Sequence, residues 1–91
     1  MKFDLARVSL DEMTWLNVFE FADPALKYGL MKAKSDHWPI PEVFKRLRNG
    51  EILDLAWPDL RIGVSLTAKS YKYENWDIWD FNEFSSNILG I

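Results

Sequence analysis

The chain has 91 residues, a net charge of −3 at pH 7, and 48% hydrophobic residues that include five tryptophans. At this length a chain builds one modest core, so residues 1–91 are predicted to form a single domain, and the apolar content excludes intrinsic disorder. The absence of cysteine excludes disulfides, thiolate nucleophiles and cysteine-based metal sites.

The N-terminal segment does not have the pattern of a signal peptide. Asp4, Asp11 and Glu12 interrupt the stretch where a signal peptide needs an unbroken apolar run, and nowhere do 18 apolar residues follow one another. We therefore expect a cytoplasmic protein that is neither exported by that route nor membrane-spanning.

The first part of the chain has helical signals. Ser9 with Glu12 three residues later forms a capping box, and the apolar residues that follow have helical spacing, which predicts a helix over residues 10–22. Asp23 followed by Pro24 is a favourable start for a second helix.

The segment "PEVFKRLRNG", residues 41–50, predicts a short third helix. Pro41 suits a helix start, basic residues occupy the last turn, and Asn49-Gly50 is a typical stop.

After Gly50 the apolar pattern changes from a helical period to a period of two. "EILDLAW" and "LRIGVSLTA" alternate like two strands joined through Pro58-Asp59 as an antiparallel hairpin, and "NWDIWDF" predicts a third strand. "KFDLARV" fits a further strand or an irregular lead-in, and "NEFSSNILGI" fits a terminal helix or coil. The predicted core face of the sheet consists of Leu53, Leu55, Ile62, Val64 and Leu66, packed against Leu16, Phe19, Phe44 and Leu47.

These elements predict an α+β fold. Two to three N-terminal helices pack on a small, mainly antiparallel sheet of three to four strands.

The segment "EILDLAWPDLRIGVSL" followed by "NWDIWDF" resembles the core of restriction-endonuclease-like proteins, particularly very-short-patch-repair endonucleases and modules at the ends of some bacterial helicases. The resemblance covers residues 41–83. It implies that Asp54 takes the position of the family's metal-binding aspartate, whereas Ser65 stands where the family has a glutamate. A neutral hydroxyl is a poor substitute for a carboxylate on a hard divalent cation. The resemblance therefore implies a degenerate core without catalysis, metal or cofactor.

The only histidine, His37, lies in the segment "DHWP". We interpret it as a loop residue that hydrogen-bonds to local backbone, and not as a catalytic base.

The segment "YKYENWDIWDFNEF" is the candidate partner-binding surface. An exposed tryptophan among acids is typical of a protein interface, and two tryptophans three residues apart cannot both point inward from a regular strand. The alternative is that a second layer or the C-terminal residues cover both rings. The candidate partner-binding residues are Glu74, Trp76, Asp77, Trp79, Asp80 and Glu83.

A second candidate surface is basic. Lys45, Arg46 and Arg48 suit contact with nucleic-acid phosphates, although basic residues are also common as solvated groups in the last turn of a helix.

Together these patterns predict a non-catalytic protein that binds another macromolecule. We expect a small inhibitor or adaptor of a nucleic-acid enzyme, such as a phage or mobile-element anti-defence protein, an immunity protein or an antitoxin. The acidic segments favour a protein partner with a basic surface. The alternative is a nucleic-acid-binding accessory module derived from an inactive nuclease core.

Overall fold

The computed structural model describes residues 10–90, with side chains from residue 14 onward. The described part contains three α-helices and five strands around one sheet. The helices are α1 (Leu10–Phe21), α2 (Lys27–Ser35) and α3 (Phe81–Leu89), and the strands are β1 (Glu42–Arg46), β2 (Ile52–Trp57), β3 (Ile62–Val64), β4 (Tyr71–Tyr73) and β5 (Trp76–Trp79). The predicted α+β class is confirmed, whereas the segment "KFDLARV" and the Ser9 cap lie outside the described residues. None of the described helices is long and apolar enough to cross a membrane.

The two predicted N-terminal helices are confirmed. After α1, the Asp23 carboxylate accepts a hydrogen bond of 2.9 Å from the backbone N–H of Ala25. Pro24 then opens a short 3-10 turn, Pro24–Leu26, that leads directly into α2. The Asp-Pro pair therefore starts a new helical segment, as its capping chemistry predicts.

The predicted third helix is wrong. Residues 42–46 form strand β1, which pairs antiparallel with β2, and Leu47 and Glu51 close the turn through a 2.8 Å backbone hydrogen bond. Gly50 has φ 90°, a value that suits glycine in a tight turn. An Asn-Gly pair ends helices and also turns hairpins, and here the pairing partner offered by β2 decides between the two.

The sheet has the strand order β1-β2-β3-β5-β4. All neighbouring strands are antiparallel except β3 and β5, which are parallel with Gly63 opposite Ile78. The predicted hairpin through Pro58-Asp59 is confirmed, because β2 pairs antiparallel with β3 with Leu55 opposite Val64. The sheet has one more strand than expected and is mixed, since β4 and β5 form their own hairpin at its edge.

One face of the sheet lies under the three helices, and we call it the helix face. Leu55 and Val64 are fully buried there, as predicted, and Ile62, Leu66 and Phe19 pack around them. The helices contribute their own buried side chains to the same cluster, namely Trp15, Val18, Ala22, Leu26, Leu30, Ala33, Phe84 and Ile88.

The opposite face, the hairpin face, carries a second buried cluster, to which none of the three described helices contributes a buried residue. Its buried members are Leu47, Leu53, Ala56, Trp76 and Ile78, with Tyr71 and Tyr73 packed against them. The prediction that placed Leu53 and Leu47 in the helix-face core is therefore wrong.

The misplacement of Leu53 has a local cause. Leu53 and Leu55 are two residues apart in β2 yet belong to clusters on opposite faces, so the alternation is interrupted at Asp54. Across the sheet, the register places Phe44 opposite Asp54, and Phe44 has the strained φ of 59°. Phe44 is 55% exposed and Leu16 is 64% exposed, so their predicted core positions are also wrong.

Candidate acidic groove

A groove runs between α3 and the edge of the sheet formed by β4 and β5, and we call it the acidic groove. It contains four of the six predicted partner-binding residues, together with polar side chains from α3 and from the connection before β4. Its lining residues are Lys69, Ser70, Asp77, Trp79, Asp80, Asn82, Glu83, Ser86 and Asn87.

Strand β5 and the start of α3 position the three carboxylates. Asp77 lies in β5 between Ile62 of β3 and Lys72 of β4. Asp80 is the N-cap of α3, where its carboxylate accepts a 2.9 Å hydrogen bond from the backbone N–H of Glu83. Because α3 begins directly after β5, Asp77, Asp80 and Glu83 lie close along the chain and line the same groove.

The connection before β4 closes one end of the groove. The Ser70 hydroxyl accepts a 2.9 Å hydrogen bond from the backbone N–H of Asp80. This contact fixes the start of α3 against the sheet edge, so the groove is a defined feature of the fold.

The electrostatics of the groove are acidic at neutral pH. The hydrogen bond from the Glu83 backbone N–H holds the pKa of Asp80 below its ordinary value. Among residues 10–90, no ion pair within 4.0 Å involves Asp77, Asp80 or Glu83. Three carboxylates therefore face one lining cation, Lys69, within the described part of the chain.

Glu74 and Trp76 lie outside the groove. Glu74 occupies the β4–β5 turn with φ 53°, and its carboxylate is 3.6 Å from the guanidinium of Arg48. Trp76 is buried on the hairpin face, where the Arg61 guanidinium lies 5.5 Å from its ring centre.

The expectation of an exposed tryptophan is wrong, because Trp76 and Trp79 are 5% and 6% exposed. Their odd spacing in β5 does place them on opposite faces, as the strand period requires. Each face has its own buried cluster, however, with Trp76 in that of the hairpin face and Trp79 in that of the helix face, so both rings are buried. Trp79 contributes the floor of the acidic groove and not a projecting anchor.

The three predicted nucleic-acid-binding residues lie on an edge strand and its turn, and not on a helix. Lys45 and Arg46 belong to β1, and Arg48 follows in the turn. Lys45 lies 4.0 Å from Glu42, and Arg48 lies 3.6 Å from Glu74. Two of the three cations therefore already have a carboxylate beside them.

Asp54 and Ser65 each bind the backbone of the connection that follows β3. The Asp54 carboxylate accepts a 2.8 Å hydrogen bond from the Leu66 N–H. The buried Ser65 hydroxyl accepts from the N–H groups of Thr67 and Ala68, at 3.3 and 3.2 Å. These contacts give both residues a structural role. The described residues contain no group of three or more His, Asp or Glu side chains that could hold a metal ion.

His37 is exposed and directly follows α2. It has φ 64°, and its backbone N–H donates a 3.1 Å hydrogen bond to the carbonyl of Lys34. This geometry closes the end of the helix, as in common helix-terminating motifs.

Sequence reasoning missed the polar residues of α3 that line the groove. Ser86 and Asn87 stand three and four residues after Glu83, and Asn82 stands four residues before Ser86, so helical spacing brings them to one side of α3. The sequence did contain the signals for a helix in this segment. Asp80 is a favourable N-cap, and Gly90 is a favourable C-terminal residue that adopts φ 73° in the structure.

No protein-family model, curated protein or solved structure matches this chain.

Proposed function

We propose that this chain is a non-catalytic binding protein, an inhibitor or adaptor, that contacts a basic surface of a partner protein through the acidic groove. The observation that carries the proposal is the convergence of Asp77, Asp80 and Glu83, none of which has an ion-pair partner among the described residues. The proposed target is a nucleic-acid enzyme, because the clefts that hold phosphate backbones are basic.

The composition of the groove suits recognition of lysine and arginine side chains. Ionised carboxylates accept charge-assisted hydrogen bonds, and Asn82, Ser86 and Asn87 add neutral donors and acceptors beside them. Fixed negative charge also raises the rate at which a basic partner meets the groove.

A comparative capture experiment tests this proposal. Wild-type protein, Asp77→Lys/Glu83→Gln and Asp59→Lys/Glu20→Gln are immobilised, and the bound proteins from lysate of the native host are quantified. The two variants carry the same change of charge, but Asp59 and Glu20 are exposed acids outside the groove. Glutamine at position 83 keeps a residue that suits the capping box of α3.

The proposal predicts a basic partner that the wild type and the Asp59/Glu20 variant retain and that the groove variant loses. Equal retention by all three proteins contradicts it. Thermal unfolding of the three proteins serves as a check that each is folded.

The nucleic-acid alternative has a separate test. Binding to phosphates releases counterions, so affinity for duplex or single-stranded DNA falls steeply as salt rises. The ion pairs at Lys45 and Arg48 favour the protein-binding function, since each already neutralises a cation of the basic set. Salt-sensitive DNA binding that Arg46→Glu abolishes would favour the alternative.

A further inference from the structure

A second groove lies between α1 and α2 on the outer side of the helix layer, and we call it the helix groove. Trp15 and Phe19 of α1 form one wall, Met31 and Lys34 of α2 form the other, and the segment after α2 forms the floor with Trp38 and Ile40. Leu16 extends the α1 wall outward.

The floor and the α1 wall of the helix groove are fixed by aromatic contacts. The Trp38 ring meets Trp57 at 5.2 Å between ring centres and Trp79 at 6.3 Å, both edge to face. On the wall, Trp15 and Phe19 lie 6.0 Å apart. The Trp57 indole N–H donates a 2.6 Å hydrogen bond to the carbonyl of Pro39, which ties the floor to the sheet. A preformed surface of this kind loses little conformational entropy on binding.

The upper walls present apolar side chains to solvent. Leu16 is 64% exposed and Met31 is 52% exposed, and they stand on opposite sides of the groove. Methionine is flexible and polarisable, so it adapts to the shape of an apolar ligand.

The α2 wall is cationic. Lys34 lines the groove, and it has no ion-pair partner among the residues whose side chains the structure describes. Lys32 is paired with Asp36 at 2.9 Å, so it adds no net charge. An apolar groove with a lysine ammonium on its wall is complementary to an apolar ligand that carries carboxylates.

The walls also restrict the backbone of the ligand. Both are α-helices, whose backbone N–H and C=O groups are largely bonded within the helix, so neither wall offers a strand edge to an extended segment. A bound helix needs no strand edge, because its backbone N–H and C=O groups are hydrogen-bonded within the helix itself.

From these observations we propose that the helix groove binds an amphipathic helix of a partner protein, with its apolar side chains in the groove and its carboxylates beside Lys34. This surface shares no residue with the acidic groove and does not depend on the function proposed there. With both surfaces occupied, the chain acts as an adaptor between an acidic helix and a basic protein surface.

The test uses two fluorescent peptides of about 18 residues, long enough for stable helical turns. Both carry the same leucine stripe, and glutamates flank the stripe in one peptide where lysines flank it in the other. The chain has a net charge of −3, so unspecific attraction favours the lysine peptide. We expect the glutamate peptide to bind more tightly to the full chain, which requires local positive charge at the binding site, and the variants below place that charge at the helix groove.

Four variants locate the binding site by fluorescence anisotropy. Met31→Glu should lower the affinity for the glutamate peptide by about tenfold or more, as expected for a central interface residue. Tyr28 is an exposed residue of α2 outside the groove, so Tyr28→Glu should leave that affinity unchanged. Lys34→Glu should lower the affinity for the glutamate peptide about threefold, in the range expected for a surface ion pair. Lys72 is also exposed but lies outside the groove, so Lys72→Glu should not lower it.

Several results would overturn the proposal. These are the absence of binding, equal affinity for the two peptides, and equal effects of Met31→Glu and Tyr28→Glu. Self-association that Met31→Glu abolishes would assign the groove to a second copy. Binding that begins only after removal of residues 1–9 would assign it to the chain's own N-terminal segment. Tighter binding of the lysine peptide than of the glutamate peptide would likewise contradict the proposal.

Discussion

The two faces of the sheet are both buried, but by different means. The helix face is covered by three helices, which bring large side chains such as Trp15, Leu30 and Phe84 onto the strands. Among residues 10–90, no helix covers the hairpin face, where Leu47 from the turn after β1 and Tyr71 of β4 pack in one cluster with Leu53 and Ile78. The described part of the chain therefore buries side chains on both faces of the sheet, although its helices lie over one face.

Two glycines show how closely each face is packed. At Gly29 of α2 a β-carbon would overlap the ring of Phe84, so α2 and α3 approach each other across a missing side chain. At Gly63 of β3 a β-carbon would lie 2.5 Å from Cδ1 of Leu53 and 3.1 Å from Cδ1 of Ile78. The packing of the helix face thus requires the close approach of α2 and α3 at Gly29. The packing of the hairpin face requires that the side chains of Leu53 and Ile78 fill the space above Gly63.

The largest stability effect is expected on the helix face. Phe84 is 1% exposed, so Phe84→Ala should lower the free energy of unfolding by about 3–5 kcal/mol, through lost burial and the cavity that remains. Urea denaturation measures the change. Phe81→Ala on the same helix is the matched control, since Phe81 is 43% exposed and its loss should be much smaller. Equal losses would mean that α3 does not pack as described.

Leu53→Ala tests whether the hairpin face is a true core. Leu53 is fully buried, and its truncation should cost about 2–5 kcal/mol despite the absence of a helix above it. Its neighbour Ile52 is 46% exposed, so Ile52→Ala is the control with a small expected effect. A loss at Leu53 no larger than that at Ile52 would show that the hairpin layer is loose.

Gly63→Ala sharpens the same comparison with a double-mutant cycle. The added methyl group should cost about 1–3 kcal/mol by overpacking against Leu53. In the Leu53→Ala background the same substitution should cost much less, because the clashing side chain is gone. If the losses in unfolding free energy caused by Gly63→Ala and Leu53→Ala simply add in urea denaturation, the two residues are not in contact.

The smallest expected effect concerns the N-cap of α3. Hydrogen bonding from Glu83 lowers the pKa of Asp80 from 3.8, so its ionised form stabilises the fold at higher pH. That contribution is complete above pH 3.8 and is lost as the pH falls through the lowered pKa. Asp80→Asn should therefore remove part of the acid sensitivity of thermal unfolding, while at neutral pH the amide oxygen still caps the helix. Parallel pH profiles for the two proteins would contradict this role.

Local chemistry predicted most of the elements correctly. The Asp23-Pro24 start and the alternation of Ile62 and Val64 in β3 needed no information from distant residues. The prediction of a helix at residues 41–50 was wrong because helix and hairpin signals coincide at Asn49-Gly50, and only pairing with β2 decides between them. The interrupted alternation of side chains at Asp54 also depends on a partner strand, since Asp54 lies opposite Phe44 of β1.

The candidate site was predicted in part for a similar reason. The spacing of Asp77, Asp80 and Glu83 indicated an acidic surface, and the structure brings these three residues together. The acidic groove does not include Glu74, because the β4–β5 turn places the Glu74 carboxylate beside Arg48. The burial of Trp76 could not be foreseen, since it depends on the turn after β1 folding over the hairpin face.

The most direct test of binding through the acidic groove is the association rate of the captured partner as a function of salt. For the wild type and Asp59→Lys/Glu20→Gln, we predict a high rate at low salt that falls steeply as salt screens the attraction. For Asp77→Lys/Glu83→Gln, we predict a slower rate with a markedly shallower dependence on salt. The same steep dependence in all three proteins would show that the partner approaches another surface, and would contradict the function proposed for the groove.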